Sequence, residues 1–209
     1  INIYSCKNKP MLMRISTLFI FLLTSITSLS QLSYDEEIEK HRDEINLEFK
    51  SDSTSILTEE DLVGFSGLEF FAPDYAYNVE VKFKKLKKRE VIGFSTSTDR
   101  IAKYRPYGIL KFKIEGVKCK LTIYAPARDI PGYLGYLFLP FKDFTNGQET
   151  YGGGRYLDLK ESDIAKKFRL DFNLCYNPYC AYSDGFSCPV PPDENHLAAE
   201  IKAGVKSFH

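Results

Sequence analysis

The sequence predicts a mainly β fold, either a single antiparallel β-sandwich or a partly open barrel, with one N-terminal helix. Three observations predict it. The chain is rich in Tyr (14) and Phe (16), has no Trp and only two Met, and this bias favours strands. From Gly67 onward, apolar and polar residues alternate in short runs. No long helical pattern separates these runs, which indicates antiparallel pairing.

A helix comes first along the chain. Ser33 with Glu36 three residues later forms a capping box, which predicts a helix start at Ser33. Tyr34, Ile38, His41, Ile45 and Phe49 then recur at helical spacing and predict one buried face. We interpret His41 as a packed member of that face, because no catalytic partner motif stands beside it. Thr58, followed by Glu59-Glu60-Asp61, predicts the cap of a second, short helical turn.

The strands follow. The basic run Lys84–Arg89 lies between the first two of them and is typical of a solvated loop or a guarded sheet edge. The predicted strands are Val79–Phe83, Ile109–Ile114, Lys118–Tyr124, Tyr136–Phe141, Arg155–Leu159, Phe168–Phe172 and, last, Glu200–Lys202.

The first 30 residues resemble an export signal. Arg14 precedes the apolar run Ile15–Leu23, and Ser28-Leu29-Ser30 offers a cleavage site before Gln31. The apolar run is shorter than the roughly 20 residues that span a bilayer. We therefore expect upstream residues and a signal peptide over 1–30 and a single domain over 31–209. The protein should be periplasmic or secreted, with no membrane span after signal removal.

Composition excludes two classes of protein. Hydrophobic residues make up 44% of the 209 residues, which excludes a disordered chain. The whole chain carries 28 basic and 28 acidic residues. Because Lys7, Lys9 and Arg14 fall in the leader, which has no acid, residues 31–209 carry 25 basic and 28 acidic residues. We therefore expect no nucleic-acid partner held by bulk charge; the oligomeric state stays open.

The segment 143–196 breaks the alternation and is rich in Gly, Pro, Cys, Tyr and Asn. Long irregular segments in compact domains are usually functional or disordered, and the aromatic residues and cysteines here indicate order. Export would place the cysteines in an oxidising compartment, so we predict a Cys180–Cys188 disulfide with Cys119 free. A metal site that includes His196 is the alternative, but paired ligands at zinc spacing are missing, so we predict no metal and no cofactor.

Gly152-Gly153-Gly154-Arg155 has two readings. The amides and the guanidinium could cradle an anion. The favoured reading is a hairpin turn between Tyr151 and Tyr156, with Arg155 as a buried partner of Asp143 or Asp158.

Amides and aromatic rings are interleaved in the same segment, as in pockets for small molecules or glycans. A loop that satisfies its own hydrogen bonds fits this pattern equally well. If a ligand site exists, Arg155 is the one fixed charge in the set, which predicts a small anionic or glycan-like ligand. The other function classes are a structural or interaction module of the cell envelope and an enzyme of unrecognised, hydrolase-like type. The predicted ligand-binding residues are Tyr151, Arg155, Asn173, Tyr176, Asn177 and Asn195.

Two long stretches resemble the bacterial and archaeal domain-of-unknown-function family 1684. One runs from Leu137 through the glycines to Leu159, and the other from Asp171 through Cys180 and Cys188 to Leu197. The resemblance covers roughly Tyr34 to Phe208, and forms with a leader and this closing sequence resemble those of Bacteroidetes-type bacteria. The family implies no established activity.

Overall fold

A computed structural model describes residues 15–51, 53–87, 90–128 and 131–209, with side chains from residue 33 onward. The first part of the predicted signal peptide, residues 1–14, and the end of the basic run, Lys88 and Arg89, lie outside the described residues. The chain divides into two units, residues 1–40 and 41–209. The whole sheet lies in the second unit, whose contacts are described below.

Helix α1 spans Ile15–Lys50. The prediction of a helix was correct, but Ser33 lies inside the helix rather than at its start, so the predicted capping box does not mark its beginning. Helix α2, Glu59–Gly64, begins as predicted, because the Thr58 side chain accepts a hydrogen bond from the Asp61 amide. In the part of the chain that the structure describes, neither helix is both long and apolar enough to cross a bilayer.

Seven antiparallel strands form one curled sheet, a half-barrel, which decides between the two predicted architectures. The order across the sheet is β6-β5-β4-β3-β1-β7, and β2 pairs separately with β3. The edge strands at the two ends of this order are β6 and β7, and β2 is a further edge because β3 is its one strand partner among the described residues. The strands are β1 Asn78–Lys85, β2 Ile92–Ser95, β3 Ile101–Ile114, β4 Val117–Pro126, β5 Tyr136–Phe141, β6 Arg155–Lys160 and β7 Lys167–Asp171.

The two faces of the sheet carry separate apolar clusters. The inner cluster takes alternate residues of the central strands, such as Val81, Leu110, Leu121 and Leu139. The outer cluster is aromatic and contains Phe94, Tyr104, Tyr124, Phe138 and Tyr156. The Phe138 ring meets Tyr156 edge-on at 4.7 Å between centroids. The first half of β3 contains three partly buried residues in a row, Tyr104 to Pro106, and its register shifts between Pro106 and Gly108, which is why alternation predicts only its second half.

The predicted strand Glu200–Lys202 is wrong, although its alternation is real. Ile201 and Ala203 are buried and Lys202 is exposed. Their carbonyls, however, accept hydrogen bonds from the Arg155 guanidinium, at 2.7 Å from Ile201 and 2.6 Å from Ala203. A side chain takes the place of a neighbouring strand, so a buried extended segment forms without a ladder.

Candidate functional site

The half-barrel is open between β6 and β7, and we call this opening the seam. A cavity of about 780 Å³ lies there. We call it the seam cavity. Its walls come from α1, the chain around Leu68, both edge strands and the irregular C-terminal segment. The lining residues are His41, Ile45, Glu48, Phe49, Leu68, Phe70, Leu157, Asp158, Leu159, Asp163, Phe168, Arg169, Leu170, Asp171, Leu174, Tyr176, Asn177, Tyr179, Tyr182 and Val205.

Sheet register explains why the edges stay open. The Tyr156 amide and carbonyl point away from β5, since both are bonded to Tyr176. Backbone direction alternates along a strand, so Asp158, two residues later, also presents its backbone groups to the cavity. On the β7 side of the seam, the Phe83 amide of β1 donates to the Lys166 carbonyl, just before β7, at 3.1 Å. The same alternation therefore turns the backbone of Arg169 outward from β1, and both strand edges face the cavity.

One face of α1 forms the cover of the cavity. His41, Ile45 and Phe49 lie four residues apart and all line it, as expected for one helix face. Two neighbouring side chains fix this stretch of helix. Arg42 donates to the Phe71 carbonyl at 2.8 Å, and Asn46 accepts from the Leu68 amide at 2.8 Å.

The C-terminal wall is held in place by the predicted disulfide. Cys180 and Cys188 are bonded, and Cys119 and Cys175 are buried free thiols. Burial raises the pKa of Cys175 to about 11, so its thiol stays protonated at neutral pH and is a poor nucleophile. Because Cys180 is in a disulfide, a Cys180–His196 catalytic dyad cannot operate.

Asp158 is the most unusual group in the cavity. Its Oδ1 accepts hydrogen bonds from the Tyr136 hydroxyl at 2.7 Å and from the Tyr176 hydroxyl at 2.8 Å. Surrounding protein raises the pKa of Asp158, and the two tyrosine hydrogen bonds oppose that shift. Burial and the nearby Asp158 charge raise the pKa of both tyrosines, so their hydroxyls keep their protons. Asp158 is exposed and belongs to the cavity lining, and its two tyrosine partners pack on the outer aromatic cluster.

The cavity lining is acidic. Glu48, Asp158, Asp163 and Asp171 line it, and Arg169 is the only Lys or Arg among the lining residues. Arg169 is already engaged, because its guanidinium donates to Asn78 and lies 4.7 Å from the centre of the Tyr75 ring. Within the described residues, no three His, Cys, Asp or Glu side chains are grouped as metal ligands.

The structure brings two of the six predicted ligand-binding residues into the cavity. Tyr176 and Asn177 both line it. Asn177 is buried, its amide nitrogen donates to the Lys206 carbonyl at 2.9 Å, and its side-chain oxygen has no partner within the described residues. Whether either residue contacts a ligand stays a prediction.

The other four predicted residues lie elsewhere and have internal contacts. The Tyr151 hydroxyl is 3.5 Å from the Cys180 carbonyl. Asn173 bonds the amide and carbonyl of Asp74, and Asn195 bonds the amide and carbonyl of Thr122. Arg155 is fully buried against Asp143, with 2.8 Å between Nη2 and Oδ2. The predicted convergence of all six residues on one pocket therefore does not occur.

The three glycines form a turn, the favoured reading. The Gly154 amide donates to the Tyr151 carbonyl at 3.1 Å, so it is not free for an anion. Gly154 has φ of +94°, and a Cβ there would lie 2.7 Å from the Phe141 carbonyl. Glycine is therefore required by the close approach of two backbones.

Sequence reasoning missed Asp158 and Phe49 as cavity residues. The sequence indicates Asp158 only as a partner for Arg155, because strand alternation does not reveal that β6 is an edge strand. The helical spacing of His41, Ile45 and Phe49 is visible in the sequence, but such spacing predicts ordinary core packing.

Comparison with known proteins identifies relatives of this chain. Residues 63–206 match the model of a family described as protein of unknown function (DUF1684). The chain belongs to this family. Among solved structures, the DUF1684 chain is similar to the solution NMR structure of an uncharacterised protein from Haloarcula marismortui, with 35% identity and a TM-score of 0.67. The match covers 86% of this chain and 98% of the archaeal one. No functionally curated protein matches the chain.

Proposed function

We propose that this DUF1684 protein is an exported binding protein whose seam cavity holds a small, mainly apolar ligand that carries an ammonium group. The observation that carries the proposal is the Asp158 carboxylate, held by two tyrosine hydroxyls at the wall of an apolar cavity. Carboxyl groups in concave sites whose pKa is shifted by their surroundings are candidates for functional positions.

The size and walls of the cavity support a small ligand. Its volume of about 780 Å³ falls within the roughly 300–1,000 Å³ of typical ligand sites. Side chains such as Ile45, Phe49 and Leu157 supply apolar walls, while Tyr176 and Asn177 supply polar groups. An apolar body would displace water from these walls, and a few polar contacts would fix its orientation.

Charge favours an ammonium group over an anion. The prediction of an anionic ligand depended on Arg155, and that guanidinium is bonded inside the fold to Asp143. The cavity lining instead contains four carboxylates, of which Asp171 is bonded to Asn173, while its one guanidinium is engaged with Asn78. A cation would pair with Asp158 and could contact the faces of nearby tyrosine rings.

Export is the second part of the proposal. The leader pattern before Gln31 supports export. The Cys180–Cys188 disulfide also supports it, because disulfides persist in oxidising compartments. The other two cysteines of residues 33–209 are buried free thiols. We expect cleavage near Gln31, which would leave Ser33 and Glu36 to cap the new helix start. N-terminal sequencing of protein from the periplasm or medium tests this, and a chain that retains Arg14 would contradict it.

Ligands of similar shape but different charge test whether the cavity prefers an ammonium group. We expect hexylamine to raise the melting temperature more than hexanol, and hexanoate to raise it least, because only the amine pairs with Asp158. Asp158→Asn should weaken amine binding about 10-fold or more, since a hydrogen bond to a charged group contributes about 1.5–3 kcal/mol.

The control for this experiment is Asp184→Asn, which neutralises an exposed acid outside the cavity lining and should leave amine binding unchanged. A larger shift with hexanoate, or with a sugar of similar size, would contradict the ammonium proposal. Unchanged amine binding in Asp158→Asn would contradict the role of Asp158.

A structural module of the envelope is the second candidate function. It is favoured by Arg155, Asn173 and Asn195, whose polar groups bond within the fold. That candidate predicts no shift with any of the matched ligands.

A further inference from the structure

A separate feature lies on the outer face of the sheet, away from the seam cavity. Five lysines of the interior strands form one patch there, which we call the lysine face: Lys82, Lys111, Lys113, Lys118 and Lys120. All five are exposed, and they surround a shallow depression of about 640 Å³ together with Glu80.

Strand register places these charges directly opposite each other. Lys82 pairs with Lys111, and Lys111 pairs with Lys120, so three lysines form a row across β1, β3 and β4. Lys113 pairs with Lys118 in the next row. Directly opposed side chains have Cβ atoms about 4.5–5.5 Å apart, and like charges at that separation are destabilising. The fold therefore tolerates a repulsion that alternating charges would remove.

Ion pairing does not account for the patch, and edge protection does not account for its centre. None of the five lysines makes an ion pair within the described residues. Glu80, the acid beside them, pairs with Lys167 at 3.4 Å. Lysines often guard exposed sheet edges, but Lys82 and Lys111 have a strand partner on both sides. The interpretation of the basic run as an edge guard therefore does not extend to these two lysines.

We propose that the lysine face docks on an anionic phospholipid surface. The five charges are all ammonium groups, which are compact, strongly hydrated and without the bidentate geometry of arginine. Interfaces with nucleic acids or proteins typically add arginine forks or aromatic rings. The lysine face includes neither, because Phe112 beside it is buried. A spread of point charges over three strands instead matches the diffuse charge of lipid headgroups.

Net charge does not drive this docking. Residues 31–209 carry 25 basic and 28 acidic residues, so attraction must come from a local patch and act within about a Debye length. The seam cavity has no part in this contact. A failure of the ammonium-ligand proposal would therefore leave the lysine face untouched, and the reverse also holds.

Vesicle sedimentation tests the proposal. The whole protein is mixed at low salt with vesicles of phosphatidylcholine alone or with an equal share of phosphatidylglycerol. We expect binding to the anionic vesicles only, with a strong decrease as salt is added. The triple variant Lys82→Gln, Lys111→Gln, Lys120→Gln should bind on the order of 100-fold more weakly, since each lysine near the surface contributes about fivefold.

The matched control removes three exposed lysines elsewhere: Lys103→Gln, Lys160→Gln and Lys166→Gln. It changes the net charge equally and should retain anionic-vesicle binding. The patch variant should melt at or above the temperature of the unmodified protein, because a repulsion is removed, which separates lost binding from lost folding. Equal loss in both variants, binding to neutral vesicles, or no vesicle binding at low salt would overturn the proposal. Tighter binding to a DNA duplex than to the vesicles would also overturn it.

Discussion

Arg155→Ala should lower the free energy of unfolding by about 3–5 kcal/mol, the cost of leaving a buried charge without its partner. Arg155 is fully buried, and its Nη2 lies 2.8 Å from Asp143 Oδ2. The guanidinium also donates to the carbonyls of Ile201 and Ala203. Removing it would therefore leave Asp143 Oδ2 without its charged partner and take the guanidinium hydrogen bonds from two buried carbonyls. Urea unfolding measures the change, which should appear as a melting-temperature drop of about 6–20 °C.

The comparison variants separate charge from hydrogen-bond geometry. Arg155→Lys keeps the charge but loses the planar fork that reaches several acceptors, so most of the destabilisation should remain. Arg169→Ala removes an exposed arginine bonded to Asn78 and should cost less than about 1 kcal/mol. An Arg155→Ala protein as stable as Arg169→Ala would contradict the buried role and would return Arg155 to the list of ligand residues.

Asn195→Ala should have an effect of similar size, about 3–5 kcal/mol. The Asn195 amide group is fully buried and replaces a missing link in the sheet. Continuing the register from the pair Tyr124–Phe138 places Thr122 opposite Pro140, and proline has no N–H for the ladder. Asn195 fills this position: it accepts from the Thr122 amide at 2.7 Å and donates to the carbonyls of Thr122 and Pro140 at 2.9 and 2.6 Å.

The expected cost follows from those three bonds, because each buried backbone group left unpaired costs about 1–3 kcal/mol. Asn195→Asp should be at least as damaging, since a carboxylate oxygen would then face two carbonyl oxygens. Asn78→Ala is the control, because Asn78 is only partly buried and its side chain bonds Arg169 near the surface. Chemical unfolding measures all three variants. A loss below about 1 kcal/mol in Asn195→Ala would contradict the bridging role.

These two residues show why the candidate site could be predicted only in part. Both were selected because they are polar residues in an irregular aromatic segment, which is the composition of a ligand pocket and equally of a self-bonded loop. Only their partners separate the two cases. Those partners are distant in sequence: Asp143 and Ile201 for Arg155, and Thr122 and Pro140 for Asn195. Tyr176 and Asn177, chosen by the same rule, do line the cavity.

The sequence by itself determined what depends on near neighbours along the chain. Alternation predicted β1, β4, β5, β6 and β7 nearly to their ends, because side-chain direction in a strand repeats every two residues. Helical spacing predicted the face of His41, Ile45 and Phe49, and the Thr58 cap depended on a residue three positions away. The short interval between Cys180 and Cys188 likewise predicted their disulfide.

Tertiary structure alone decided how the strands are ordered, and the cavity follows from that order. Alternation shows which side chains share a face, but it does not show which strands have a neighbour on only one side. Since β6 and β7 end the strand order, a seam remains between them, and the exposed residue Asp158 belongs to its lining. The lysine face is a product of register in the same way. Lys82, Lys111 and Lys120 are separated in sequence and become one row only when three strands align.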